Sequence, residues 1–181
     1  MKNLYVGTAG VLWALDRLRQ RGHTETELDL PDLARRNVEL FRARPDYMKG
    51  MKLPALRDSA LLTGETGILL VAWRLSPSRE LADELFERVR ANVDNEADEV
   101  MWGSPGTLLA AQAMLEWTTD ERWRDAWNES ADALLSRRDE EGYWTQRLYG
   151  QELRGLTPPH GLVGNVQALA PATRRAIGPT R

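Results

Sequence analysis

The chain has 181 residues, 42% of them hydrophobic and 28% charged, with a formal net charge of -3. That length suits one domain with a sizeable core, and an acidic balance without a Lys/Arg-rich block excludes nucleic-acid and anionic-membrane surfaces, which reward a basic face. No cysteine is present, which removes disulfides, thiolate nucleophiles and cysteine zinc sites together, and leaves His23 and His160 as the neutral-pH proton carriers.

In chain order, Gly7-Thr8-Ala9-Gly10 opens an apolar stretch, Val11 to Leu15, that reads as a helix without a polar face. His23, between Gly22 and Thr24, reads as a solvated loop histidine after that helix. Pro31 suits the first turn of a shorter amphipathic helix carrying Leu33, Val38, Leu40 and Phe41. Lys49 to Arg57, with Gly50 and Pro54, reads as a joining loop. Gly64-Glu65-Thr66-Gly67 then opens a second apolar helix, Ile68 to Trp73. From Pro77 a stripe of Leu81, Leu85, Phe86, Val89 and Val93 alternates with charged residues, as an amphipathic helix requires.

The acidic run Asp94 to Asp98 reads as a solvated loop, and Glu99 stands apart because apolar residues follow it directly. Gly103-Ser104-Pro105-Gly106 opens a third apolar helix through Leu108 to Ala111, Ala113, Met114 and Leu115. A capping box over Thr118–Glu121 is expected to start the next amphipathic helix, with Trp123, Trp127, Ala131, Leu134 and Leu135 on its stripe. Gly142 to Gly150 has strand-like composition and reads as a short hairpin or extended lid. Gly161-Leu162-Val163-Gly164 opens a fourth apolar helix that ends before Pro171.

Alternation of wholly apolar and amphipathic helices predicts an all-α domain over 1–181, with an inner and an outer ring or an open arc of them. Glycine at the start of each inner helix permits positive φ and brings backbone toward a shared axis, so that free helix-terminal amides face one hollow. The plainer alternative is that these glycines only tighten helix packing. The fourth inner helix has no complete outer partner, so the ring is not expected to close, and its open edges invite self-association.

At the four glycine turns the sequence resembles the lanthionine synthetase C-like family. The match runs motif by motif: Gly7-Thr8-Ala9-Gly10-Val11, Leu62-Thr63-Gly64-Glu65-Thr66-Gly67, Glu99-Val100-Met101-Trp102-Gly103-Ser104-Pro105-Gly106, and His160-Gly161-Leu162-Val163-Gly164. The resemblance implies an α/α toroid, here an incomplete arc of about four helix hairpins covering roughly half the family's length. It implies a reaction in which a peptide cysteine or glutathione thiol adds to a dehydroamino acid, forming a thioether. Zinc activates the thiol and a general acid or base handles the enolate proton. The family's zinc ligands lie in later Trp-Cys-His-Gly and Cys-His-Gly turns, and neither occurs here. No metal ligand and no cofactor is therefore expected in this chain, zinc belonging to a full-length member, and the chain alone is expected to be inactive.

The resemblance makes His160 the candidate for proton transfer or oxyanion stabilisation. Glu99 becomes the acid that orients it or holds a peptide donor. Gly7, Gly10, Gly64, Gly67, Gly103, Gly106, Gly161, Gly164 and Trp102 become candidate substrate-binding positions at the cavity turns. Tyr5 and Trp144 are further lining candidates, though aromatic residues in such helices are commonly core. Two other functions stay open. A carbohydrate-active α/α toroid, of glycosidase or sugar-epimerase type, would pair Glu99 with a second carboxylate, for which Glu65 is the near candidate. A non-catalytic helical module would bind peptide along a concave arc. The absence of any run of roughly 18 apolar residues, and of a signal-peptide core, points to the cytoplasm.

Overall fold

The computed structural model describes residues 1–47, 53 and 56–170. Among them are seven α-helices: α1 (Thr8–Gln20), α2 (Leu30–Ala43), α3 (Glu65–Leu75), α4 (Arg79–Ala91), α5 (Ser104–Thr118), α6 (Arg122–Ser136) and α7 (Leu162–Leu169). One antiparallel hairpin, β1 (Gln146–Leu148) and β2 (Gln151–Leu153), stands between α6 and α7. The protein is thus all-α apart from this hairpin. Among the described residues no helix is long and apolar enough to cross a membrane. The joining loop expected over Lys49–Arg57 falls mostly outside the described residues, as does the chain from Pro171.

The helices sort by composition into two rows. α1, α3, α5 and α7 neighbour one another in that order; α2 packs on α1 and α3, α4 on α3 and α5, and α6 on α5 and α4. Helix α4 buries only Ala82, Leu85 and Val89, whereas α3 buries eight consecutive residues from Glu65 to Ala72. A helix with one apolar stripe can satisfy it from outside, while one apolar on all sides needs neighbours on most of them.

Enclosure of every apolar helix, as the composition suggests, is found for α3 and α5 and not for α1 and α7. Val11 and Leu18 of α1 are exposed, as are Val163 and Val166 of α7. Counted from the second glycine of each pair, Val166 is the counterpart of Leu69 and Leu108, and Val11 is the counterpart of Ile68 and Thr107. All four counterparts are buried to 1% exposure or less. Among the described residues, the two outermost helices of the row have no neighbour over these positions.

Caps set the starts of the second-row helices. The Asp29 side chain accepts from the Asp32 amide (3.0 Å) at α2, and Ser78 accepts from the Leu81 amide (3.2 Å) at α4. The capping box expected at Thr118–Glu121 is not formed. Thr118 is the last residue of α5 and its hydroxyl donates back to the Met114 carbonyl, Thr119 turns left-handed (φ 58°), and α6 starts at Arg122. Leu40 and Leu135, expected on buried stripes, are exposed because the stripes run through Ala34, Val38 and Phe41 and through Trp123, Ala126, Ala131 and Leu134.

The paired glycines do open α1, α3, α5 and α7, but not through positive φ. The first glycine of each pair caps its helix in an extended conformation, with φ of -120°, -99°, -93° and 172°. Close approach is the requirement. A Cβ on the second glycine would stand 2.3 Å from Leu4 O at Gly10, 2.1 Å from Leu61 O at Gly67, 2.3 Å from Val100 O at Gly106 and 1.9 Å from Pro158 O at Gly164. The same carbonyl, six residues earlier, closes all four turns.

Three of those residues also reach the next turn. Leu4 Cβ would lie 2.8 Å from a Cβ on Gly67, Leu61 Cβ 3.1 Å from one on Gly106, and Val100 Cγ2 2.7 Å from one on Gly164. Hydrogen bonds tie the same neighbours: the Tyr5 amide to Leu62 O (2.9 Å) and the Thr63 hydroxyl to Met101 O (3.3 Å). The four turns therefore run side by side in chain order. Their helix-terminal amides are not all free, as expected for a shared hollow. Thr8 and Ala9 donate to Met1 O and Lys2 O (both 3.1 Å), and Leu162 donates to Gly155 O (2.9 Å).

Candidate functional site

The third turn is a folded loop, not the solvated acidic run that its composition suggests. Asn95, Ala97, Asp98 and Glu99 are buried, while Asp94 and Glu96 are exposed. Asn95 Nδ2 donates to Trp102 O (2.9 Å) and its Oδ1 accepts from the Ala97 amide (3.0 Å). Asp98, in a left-handed conformation (φ 41°), meets the Arg137 guanidinium at 2.8 Å. Burial holds the Asp98 carboxyl above its ordinary range against the opposing effect of Arg137. Arg137 also donates to Val93 O and Ser104 Oγ, fixing the loop to the start of α5.

These bonds leave Glu99 with no exposed surface and its carboxylate turned inward. It accepts from the Met101 amide (3.0 Å) and the Trp102 amide (2.6 Å). Its Oε2 lies 2.8 Å from Nδ1 of His160, in the fourth turn. A carboxylate can only accept, so Nδ1–H donates and Nε2 is left as the uncommitted ring nitrogen. The hydrogen bond to Glu99 raises the His160 pKa above its ordinary value, and partial burial opposes that shift. The His160 side chain remains about a third exposed. The pair is thus a held imidazole with one face open to solvent.

The hairpin supplies two residues that motif reading did not single out. Gln146 is fully buried; its Nε2 donates to Trp144 O (3.0 Å) and its Oε1 accepts from the Gly155 amide (2.8 Å). This anchors the hairpin beside the His160 turn. At its tip Tyr149 and Gly150 both take positive φ (54° and 77°), the pattern of a tight two-residue hairpin turn. Glycine accepts that conformation freely, whereas a bulky tyrosine pays roughly 1–2 kcal/mol there. Tyr149 is held by two contacts. Its hydroxyl oxygen accepts from Trp102 Nε1 (3.0 Å), and its ring meets the His160 ring edge-on at 6.5 Å. A composition rule for turns would not find it, because Asn or Asp is the usual residue at that position.

The expected site residues therefore divide. Glu99, Trp102 and His160 come together, flanked by Gly103, Gly106, Gly161 and Gly164 of their own turns. Gly7, Gly10, Gly64 and Gly67 belong to the neighbouring turns of the row. Tyr5 is exposed. Trp144 is core: it is buried and its Nε1 donates to Leu134 O at 2.7 Å. Glu65 is 3% exposed and held by Arg42 and Arg88, both at 2.5 Å, so it faces α2 and α4 and is no acid/base partner for Glu99. His23 is an exposed loop residue, as expected.

A cleft of about 420 Å³ adjoins the hairpin, lined by Glu96, Arg147, Tyr149, Gln151 and Glu152 among others. The residues present do not fit zinc. His160 is the one imidazole in the site and both Glu99 oxygens already accept backbone amides. Among the described residues no group of three or more His, Cys, Asp or Glu side chains gathers around a metal-sized space. Comparison of the chain with family models, with curated proteins and with solved structures gives no match.

Proposed function

We propose that this chain is part of a lanthionine synthetase C-like α/α toroid and carries the proton-handling group of thiol addition to dehydroamino acids. The observation that supports this reading most is the Glu99–His160 hydrogen bond, which joins the third and fourth of four serially adjoining glycine turns. A thiolate attacks the β-carbon of dehydroalanine or dehydrobutyrine, the C–S bond forms, and the alkene π pair moves to the α-carbon as an enolate. Protonated His160, held by Glu99, gives its Nε2 proton to that α-carbon and recovers one from solvent. The partner is a peptide or glutathione-like thiol, whose activation belongs to the zinc-bearing half of a full-length member.

That division of labour sets the experiment. An aryl thiol already ionised at pH 7 supplies thiolate, so its addition to a dehydroalanine peptide tests His160 without thiol activation. Wild-type chain in D2O accelerates addition and labels the α-carbon, and His160→Ala and Glu99→Gln lose about 10²-fold or more of that acceleration, the usual scale for general acid catalysis. Equal rates in wild type and His160→Ala would falsify the reading. With a cysteine peptide at neutral pH, the chain alone forms no ring.

The sugar-chemistry alternative needs a second carboxylate near Glu99, and Glu65 is tied up by two arginines elsewhere. A peptide-binding module without chemistry would bind along the concave arc and leave the aryl thiol reaction unaccelerated.

A further inference from the structure

We infer that the Tyr149 hydroxyl is a catalytic hydrogen-bond donor to a substrate oxyanion, held in place by Trp102. The inference rests on the thiol-addition reading for its reaction, but its geometry is independent of it. An indole N–H is a donor only, so at the 3.0 Å contact Trp102 Nε1 gives and the phenol oxygen receives. The phenol's own proton is then unspent, and among the described residues no side chain or carbonyl accepts it. The hairpin holds this residue in a conformation that L side chains rarely adopt, with φ of 54°. Tyr149 is exposed, its ring meets that of His160 edge-on, and it lines the cleft beside the hairpin. Its hydroxyl and His160 Nε2–H are thus two donors on adjoining rings, both attached to the same buried anchor. Trp102 gives its amide to Glu99 and its indole to Tyr149, and Glu99 holds His160.

A hydroxyl donor held beside a proton-carrying ring suits a substrate oxyanion. In the proposed reaction that group is the enolate oxygen, where negative charge develops as the C–S bond forms. Tyr149 O–H stabilises it while His160 delivers the proton to carbon, and the phenol keeps its proton throughout. A pre-placed donor at such an oxygen strengthens its bond in the transition state, when the charge appears.

Oxamate, a small planar carboxylate, serves as a probe that needs no reaction, with the His160 ring protons as the NMR reporter. Wild type should bind it saturably, and Tyr149→Phe should weaken binding at least 10-fold while leaving the His160 titration unchanged. In the aryl thiol assay Tyr149→Phe should lower kcat about 100-fold, the scale for losing one oxyanion donor, with KM altered less than about threefold. Trp102→Phe should give a smaller loss in both assays. Oxamate binding that is absent in wild type, or equal in Tyr149→Phe, overturns the assignment. Tyr149-dependent oxamate binding in a chain that adds no thiol would keep the donor and discard the reaction. An unchanged unfolding midpoint for Tyr149→Phe excludes misfolding as the cause of either loss.

Discussion

Val100 closes one turn and packs on the next: its carbonyl oxygen lies where a Cβ on Gly106 would need to stand, and its Cγ2 would be 2.7 Å from a Cβ on Gly164. Leu61 stands in the same relation to Gly67 and Gly106, and Leu4 to Gly10 and Gly67. Each second glycine is therefore required by backbone approach, and three of the four also by a side chain from the preceding turn. Gly67→Ala, Gly106→Ala and Gly164→Ala should each destabilise the fold by about 1–3 kcal/mol or more, since a carbonyl cannot swing aside as a flexible side chain can. Urea denaturation monitored by Trp fluorescence measures this. A midpoint unchanged in all three would show that the turns are not packed on one another.

The Glu99–His160 bond makes a signed pH prediction. His160 has its pKa raised in the folded chain by the hydrogen bond to Glu99. Its contribution to stability is fully present below the unfolded histidine value of about 6.5 and is lost as pH rises through the folded value. The stability difference between wild type and His160→Gln should therefore be largest in mild acid and shrink above neutrality. In Glu99→Gln the raising contact is weakened while burial remains, so the His160 ring should titrate lower, which an NMR pH series reads directly.

Helix placement was legible because two signals coincide: paired glycines at the start of α1, α3, α5 and α7, and a change from all-round apolar to one-stripe apolar between neighbours. Glu99 and His160 were found through family resemblance, with orientation of the histidine as one of two roles for Glu99, and the loop that brings them into contact has a shape the residue order conceals. Asp94 to Asp98 looks like a solvated acidic run. It is folded inward because Asn95 satisfies backbone groups and Arg137, from the far end of α6, meets Asp98. Tyr149 had no local signal, since its value lies in a contact with Trp102 that spans 47 residues. The capping box failed for a simpler reason: Thr118 is still the last residue of α5, and its oxygen accepts from the Asp120 amide (3.2 Å) rather than from that of Glu121.

Glu65 gives a test of how a buried charge is shared. It is 3% exposed, while Arg42 and Arg88, its partners from α2 and α4, are roughly half exposed. Removing one arginine leaves the other paired with the carboxylate, so Arg42→Ala and Arg88→Ala should each cost no more than about 1 kcal/mol. Removing both leaves an unpaired buried charge, and the double variant should lose about 3–5 kcal/mol. Chemical denaturation of the four-member cycle measures this excess, and additive losses would show that Glu65 gains its compensation elsewhere.

The bare flanks of α1 and α7 predict how the chain meets itself. Val11 and Val166 sit at helix positions whose counterparts in the central units are buried, so each flank is apolar surface that the repeat covers elsewhere. The two flanks are the opposite faces of one row, which makes a junction between them head-to-tail and leaves a free flank of each kind after every step. Sedimentation velocity should therefore show a mass that rises with concentration beyond the dimer. Val11→Lys and Val166→Lys should each suppress it when alone. Mixed together, the two variants should recover dimers and nothing larger, because the mixture contains one intact flank of each kind on different chains. Contact of a flank with its own copy would behave otherwise, since one variant would keep dimerising by itself and mixing would add nothing.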